Sequence, residues 1–298
     1  MNTVFRYAGL TRFLKGNTHI HTTNSDGRWS VQDVLDRYQQ AGYDFLAVTD
    51  HNVVTRLEDR STGSLCLIDS VELDRGEGPY RCRHVVCIGV GPKFPDRTTF
   101  PRMLAAAKRD KALLVLAHPH WSGANVNQLI RGGYVGVEVH NGVCHYLNHR
   151  ESGVWAWDDA LQRGHDLFGF AADDNHGVPE GIKTFDLGWI MVAADTLDRP
   201  AILKAIRAGK FYSSTGPLFR SLDFADRKLT VHCSPARHIW LSGPTWVVTR
   251  VNCPDDKLVD SATFDVEELL AKNKNLPFLR LEIEDERGRR AWTNKLFV

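Results

Sequence analysis

Histidine and carboxylate side chains recur in this chain two residues apart, close behind apolar runs: His19-Ile20-His21, His118-Pro119-His120, Glu138-Val139-His140 and Asp174-Asn175-His176. A strand turns successive side chains to opposite faces, so residues at i and i+2 point the same way and two donors can reach one ion. Eleven of the thirteen histidines fall within residues 1–176, and Asp26, Asp50, His51 and Glu72 stand in the same region. A single HxH is more often incidental than functional. Here many donors collect at the ends of apolar runs, and unrelated accidents would not all fall there. Neutral imidazoles and carboxylates without thiolate suit Zn²⁺, Mn²⁺ or Fe²⁺. More donors are present than one four-coordinate ion needs, which predicts two or three divalent ions. Paired ions lie roughly 3.5 to 4 Å apart, lower the pKa of a bound water and clamp the attacking and leaving oxygens of a phosphoryl group. Glu72 is the carboxylate best suited to bridge them.

The elements that must position these residues follow from the apolar pattern. Residues DFLAVTDH, LCLIDSVEL, HVVCIGVG, ALLVLAHPH, YVGVEVHNG and DLFGFAADDNH are buried-strand runs, and five of the six meet a histidine or carboxylate at or near their C-terminal end. HVVCIGVG instead begins with its histidine, His84. Ser30 before VQDVLDRYQQAG, with Val31, Val34, Leu35 and Tyr38 at helical spacing and Gly42 behind, predicts a capped helix. Further helices are expected at 99–110, 153–164 and 199–209. Strands alternating with helices read as β/α units around a parallel sheet, with the donors on the rim where the strands end. From about Gly216-Pro217 the pattern changes to short alternating runs broken by Gly, Pro, Asn and Asp, which predicts an antiparallel β module. The division expected is residues 1–216 and 217–298.

Composition narrows the class. At 298 residues the chain can fill one α/β barrel and an added module. A formal charge of +1 gives no field to gather nucleic acid, so no extended nucleic-acid surface is expected and phosphate binding must come from a local site. The six cysteines are scattered without a CxxC pair and read as reduced, mostly buried thiols. The opening residues lack the apolar core of a signal peptide, and no run approaches a membrane span, so a cytoplasmic location with no membrane contact is expected.

The motifs GNTHIHTTNSDG (16–27), AVTDHN (47–52), Glu72, LAHPH (116–120), VEVHNG (137–142) and ADDNH (172–176) together resemble the PHP superfamily of metal-dependent phosphoesterases, in the family's order. The resemblance implies a distorted (β/α)₇ barrel with a trinuclear Zn, Mn or Fe site. It makes His19, His21, Asp26, His51, Glu72, His84, His118, Asp174 and His176 metal ligands, with Asp50 orienting its neighbours. Asp173 stands beside Asp174, and the DxH spacing favours Asp174 as the ligand. FYSSTGP (211–217) and RLEIEDERGRRAWTN (280–294) resemble the CehA/McbA-type metallohydrolases, a branch that joins the barrel to a β-rich C-terminal module. An amidohydrolase barrel also opens with HxH, but it wants a bridging lysine in mid-chain, and here Glu72 fills that place.

The activity expected is phosphoester hydrolysis by a metal-bridging hydroxide on a phosphomonoester or a nucleotide or oligonucleotide end. His120 would protonate the leaving oxygen, with Asp50 also in the catalytic set. Arg56, Lys183, Asn141 and His120 are the candidates to meet substrate, where a cation or imidazole could touch a phosphate oxygen. Two other readings use the same residues: hydrolysis of a carbamate or ester, which the branch implies, and a non-catalytic metal-binding scaffold whose β module recruits a partner.

Overall fold

The computed structural model describes residues 4–10, 12–56, 64–78, 81–177, 182–253 and 257–298. Strand β1 (Leu14–Asn17) leads directly into the first HxH, and helix α1 (Val31–Gln40) returns the chain. Ser30 caps α1 through a reciprocal pair with Asp33, and Val31, Val34, Leu35 and Tyr38 form its buried face. Each large side chain so buried contributes roughly 1.5 to 3 kcal/mol. Gly42 ends the helix at a positive φ of 76°, where a β-carbon would be strained. Strands β2 (Phe45–Leu46) and β3 (Cys66–Leu67) follow, parallel to β1.

Next come β4 (Ser70–Gly76), β5 (Cys82–Ile88), α2 (Phe100–Arg109), β6 (Leu113–Leu116), α3 (Pro119–Ser122), α4 (Val126–Arg131), β7 (Gly136–Asn141), α5 (Gly142–Asn148), α6 (Val154–Gln162) and β8 (Phe168–Ala172). Strands β4 to β8 make a five-stranded sheet in chain order. It is not the parallel sheet that the β/α pattern predicts: β5 runs antiparallel to both β4 and β6, while β6, β7 and β8 are parallel. A parallel pair needs a crossover of a dozen or more residues, often a helix, and only the five residues 77–81 separate β4 from β5, with Glu77 N–H donating to Arg81 O at 2.8 Å.

Strand β9 (Trp189–Val192), helix α7 (Arg199–Arg207) and β10 (Phe211–Ser214) complete the site-bearing part. The remainder is β11 (Phe219–Ala225), β12 (Lys228–Ala236), β13 (His238–Ser242), β14 (Val248–Asn252), β15 (Val259–Asp265), α8 (Val266–Lys272), β16 (Arg280–Glu284) and β17 (Arg290–Thr293). Strands β11, β12 and β15 form a small antiparallel sheet, whereas β14-β13-β16-β17-β10-β9-β1-β2-β3 form one nine-stranded sheet that passes across residue 216. The tail motifs are neighbours in it, since Tyr212, Ser213 and Ser214 pair with Thr293, Trp292 and Ala291.

Among the described residues no sheet closes on itself, so the seven-unit barrel of the sequence reading is not formed as a continuous ring. The nine- and five-stranded sheets meet instead at isolated bridges, Ile20 with Asn175 and His51 with Glu72. Both bridges join residues of the donor motifs. Apolar cores fill the spaces between sheets and helices, one around Val85, Leu116 and Trp157 and another around Phe45, Phe170 and Ile202.

Candidate metal centre

Backbone pairing knits the two ends of the site together. His19 O accepts from Asp174 N at 2.9 Å, and His21 N donates to Asn175 O at 2.9 Å, so the first HxH lies alongside DDNH. Asn52 N donates to Glu72 O at 2.8 Å, which sets TDH against β4. His84 arrives from the opposite direction. Because β5 is antiparallel to its neighbours, its first residues lie at the same end as the last residues of β4 and β6, and Ala117 N donates to His84 O at 3.2 Å. The histidine that begins its run therefore reaches the same mouth as those that end theirs.

Glu72 is buried at the centre. Its Oε2 lies 3.1 Å from His19 Nε2, 3.2 Å from His21 Nε2 and 3.3 Å from His51 Nδ1. Its Oε1 lies 3.0 Å from His84 Nδ1 and 3.5 Å from His118 Nε2. Asp174 Oδ1 sits 3.2 Å from His19 Nε2 and 3.1 Å from His21 Nε2. Further out, Asp26 Oδ2 is 3.4 Å from His176 Nε2 and 3.7 Å from His51 Nε2. Three overlapping sets result: His19, His21, Glu72 and Asp174, all buried; His51, Glu72 and His84; and His21, Asp26, His51 and His176, partly exposed. Within each set one donor atom per residue lies within 4.8 Å of every other. Eight of the nine ligand candidates of the sequence reading stand in these sets, and the ninth, His118, lies beside them with Nε2 3.5 Å from Glu72 Oε1.

These donors fit divalent cations. His19 Nε2, both ring nitrogens of His21, His51 Nδ1 and Asp174 Oδ1 are buried without a hydrogen-bond partner among the described residues. A buried polar atom left unpaired costs about 1 to 3 kcal/mol, and a cation would satisfy several at once. Charge matching tells the same story. Burial pushes His21 down, but the carboxylates of Asp174 and Glu72, 3.1 and 3.2 Å from its Nε2, outweigh it and lift its pKa to about 9. Burial likewise opposes His84, and the Glu72 charge lifts it to about 10. Asp174 goes the other way: burial would raise it, yet the imidazoles of His19, His21 and His176 hold it well below the usual carboxylate range. Two site residues also hold left-handed backbone, His118 at φ 26° and Asp174 at φ 53°. Such strain costs about 1 to 3 kcal/mol each and persists only where the surroundings impose it.

A further ring of residues orients the donors. Glu138 Oε1 accepts from His19 Nδ1 at 2.7 Å, while its Oε2 accepts from His118 N and from Asn141 Nδ2, each at 2.8 Å. A carboxylate only accepts, so His19 keeps its proton on Nδ1 and turns Nε2 toward Glu72 and Asp174. Asp50 is buried and accepts from Thr22 N, Thr22 Oγ1 and Ser25 Oγ, each at 2.7 Å, and from Thr55 Oγ1. It fastens the 22–26 segment that carries Asp26. Asp173 is separate from the cluster, bound by Tyr38 Oη at 2.6 Å and by the N–H groups of Asp186, Leu187 and Gly188, with burial raising its pKa to about 6. It is Asp174 that faces the histidines.

The substrate-side candidates are placed differently. His118 ends its strand with positive φ and Pro119 opens α3, so His120 leaves the i, i+2 alternation and stands exposed on that helix. A bulge in β7 between Glu138 and His140 likewise breaks that pair. Arg56 holds Asp69 at 3.3 Å and Lys183 holds Asp186 at 3.0 Å. Asn141 is buried, caps α5 through Cys144 N and donates to Asp174 Oδ2 at 3.1 Å. None of these four lines either of two clefts that open on the cluster, one of about 630 Å³ and one of about 400 Å³. The clefts share Asp26, His51 and His84. Arg97 lines the larger, and Arg28 lines the smaller together with an apolar wall of Trp121, Val143 and Leu147. Sequence reasoning missed both arginines and the orienting role of Glu138; Arg28 stands only two residues past Asp26, directly behind the first motif, which was a usable signal.

No family model matches the chain. Over 61 residues it is 30% identical to the DNA polymerase/3'-5' exonuclease PolX of Bacillus subtilis, a match covering 20% of this chain and 11% of that protein. Among solved structures it is similar to a two-domain protein of Bacteroides vulgatus described as containing a predicted PHP-like metal-dependent phosphoesterase. The TM-score is 0.53 at 15% identity, over 93% of this chain and 91% of that one. The two chains share a fold. An amidohydrolase from Chromobacterium violaceum covers 65% of this chain and 96% of its own at 16% identity, but its TM-score of 0.46 is too low to carry an argument. Fold likeness at this identity does not transfer an activity.

Proposed function

We propose that this chain is a metal-dependent phosphoesterase of the PHP type, in the CehA/McbA-like branch, acting on a small phosphomonoester or a nucleotide end. The observation that carries it is Glu72, whose two carboxylate oxygens face separate sets of imidazoles, His19, His21 and His51 on one side and His84 and His118 on the other. A carboxylate so placed would suit the role of a ligand shared between two ions. His19, His21, Glu72 and Asp174 would hold one ion, with Glu72, His84 and His118 serving a second and Asp26, His51 and His176 a third. When bound, the ions would neutralise phosphate charge and make a water molecule acidic enough to attack at neutral pH.

The chain's own residues do the rest. Arg28 offers a guanidinium at the rim of the smaller cleft, suited to a non-bridging phosphate oxygen. Glu138 and Asn141 hold His19, His118 and Asp174 in place, and Asp50 holds the segment of Asp26. Trp121, Val143 and Leu147 would receive an apolar leaving group. His120, the acid expected from the sequence, stands exposed on α3 one residue before Trp121 and lines neither cleft. Protonation of the leaving oxygen by it would need α3 to turn its side chain toward the cleft. The apolar wall also favours a second reading, hydrolysis of an ester or carbamate at the same centre.

The test is a panel of sugar phosphates, nucleotides, aryl phosphates, aryl esters and carbamates with Mn²⁺ or Zn²⁺ supplied. Phosphate release that is lost in His19→Ala supports the first reading. Faster turnover of an ester or carbamate than of any phosphate selects the second, and no turnover of any member with the metal-loaded chain leaves the scaffold reading. Arg28→Ala should lower kcat/KM for a phosphate about 10- to 100-fold, while Lys183→Ala changes it less than about twofold.

A further inference from the structure

Outside the central cluster, the described residues contain one other group with the donor chemistry of a transition-metal site. His145 lies on α5 and His149 caps the end of that helix in left-handed backbone, which brings the two ring centres within 5.5 Å of each other. Glu151 follows two residues after His149, and one donor atom from each of the three lies within 4.8 Å of the others. His145 Nδ1 is 3.3 Å from Glu151 Oε1. The other carboxylate oxygen, Glu151 Oε2, is buried without a hydrogen-bond partner among the described residues. Both rings are exposed, so they can adjust to the roughly 3.4 Å donor spacing of a tetrahedral ion with bonds near 2.0 to 2.1 Å. None of the three residues lines either cleft or belongs to the central sets.

We propose that His145, His149 and Glu151 form a peripheral site for one borderline divalent cation, Zn²⁺ or Ni²⁺, with its remaining position open to solvent. Two imidazoles and one carboxylate select such ions over Mg²⁺ or Ca²⁺, which take oxygen donors. The site has a mechanical consequence. Helix α5 presents Val143, Cys144 and Leu147 to the smaller cleft, and its cap Asn141 bonds Asp174 and Glu138. Asn141 N also donates to Glu151 O at 3.1 Å, so an ion here would tie the far end of α5 to the segment already fixed against its start.

The experiment counts ions in the full-length chain at equilibrium over a series of buffered free Zn²⁺ concentrations. It compares the wild type with His145→Asn/His149→Asn, since asparagine tolerates the left-handed φ of 56° at position 149. The wild type should saturate with one more equivalent than the variant, and its amide hydrogen exchange over residues 142–152 should slow as that equivalent binds. Equal stoichiometry in the two proteins, or slowing that persists in the variant, overturns the proposal. Should the double variant fail to fold, Glu151→Gln must weaken the last equivalent about tenfold or more; an unchanged affinity overturns the proposal equally. Because ions rather than turnover are counted, the result is independent of the reaction assigned to the central site.

Discussion

At the scale of single residues, the site depends on protons as much as on donors. His21 and His84 have pKa values lifted to about 9 and about 10, so near pH 7 both rings are protonated in the metal-free chain. An imidazolium has no lone pair to give, and a cation must displace those protons before it binds. Mn²⁺ affinity should therefore rise steadily from pH 7 toward pH 9, and calorimetry in buffers of different ionisation enthalpy should record proton release near neutrality. A pH-independent affinity over that interval would contradict it. Stability follows the opposite sign. A folded pKa above the ordinary 6.5 stabilises the metal-free fold fully below that pH, and the gain is lost as pH climbs through 9 to 10. The metal-free protein should thus melt at a lower temperature at pH 10 than at pH 7. Glu138 acts through His19 rather than by itself. Glu138→Gln puts an amide N–H₂ where two N–H groups and His19 Nδ1 now find only acceptors, and metal affinity should fall about 10- to 100-fold, with far-UV circular dichroism unchanged.

At the scale of elements, each donor set hangs on a different support, so the sets should fail separately. The inner donors sit on strand ends paired by backbone hydrogen bonds, whereas Asp26 rides on a turn fastened by three of the four hydrogen bonds that Asp50 accepts, the fourth coming from Thr55. Asp50→Asn leaves one acceptor oxygen for those donors and should cost about 2 to 3 kcal/mol in chemical denaturation. It should release the Asp26, His51 and His176 ion while the His19, His21, Glu72 and Asp174 ion remains, which elemental analysis after dialysis can count. The supports also explain what could be read from residues alone. Apolar runs ending in His, Asp or Glu announced the strands and their mouth because burial and polarity are local properties of a sequence. Strand direction is not local: the brevity of the β4–β5 link decides it, and His84 at the head of its run was the visible trace. The 3.6-residue and two-residue periods likewise do not say where an alternation stops. A positive φ at His118 and a bulge after Glu138 are set by packing, and they turned His120 and His140 away from positions the spacing implied.

At the scale of the whole molecule, the β-rich C-terminal part is bound into the site-bearing part through sheet, core and charge together. Strand β17 covers the edge of β10, and Phe278 and Trp292 belong to the same apolar core as Val85, Leu116 and Trp157. Asn294 adds three bonds, accepting from Gly169 N at 3.0 Å and donating to Gly209 O at 3.2 Å and Phe211 O at 3.0 Å. A chain ending at residue 216 would leave β10 with an open edge and a hole where Phe278 and Trp292 stood, and it should be recovered only as aggregate. A point change tests the same coupling without removing any strand. Arg280 is buried on β16, reaches Asp158 of α6 through two hydrogen bonds of 3.0 Å, contacts Glu282 at 2.8 Å and lies 5.1 Å from the Trp157 ring centre. Arg280→Ala deletes the cation from between two carboxylates and opens a void against Trp157. The cost should be about 3 to 5 kcal/mol, read as a lower denaturant midpoint. Because Trp157 packs beneath Gly169 of β8, whose end delivers Asp174, the loss should appear as a single transition in which metal release and C-terminal unfolding coincide. Two separated transitions would show that the halves fold independently and that the shared sheet contributes little to holding the ligands.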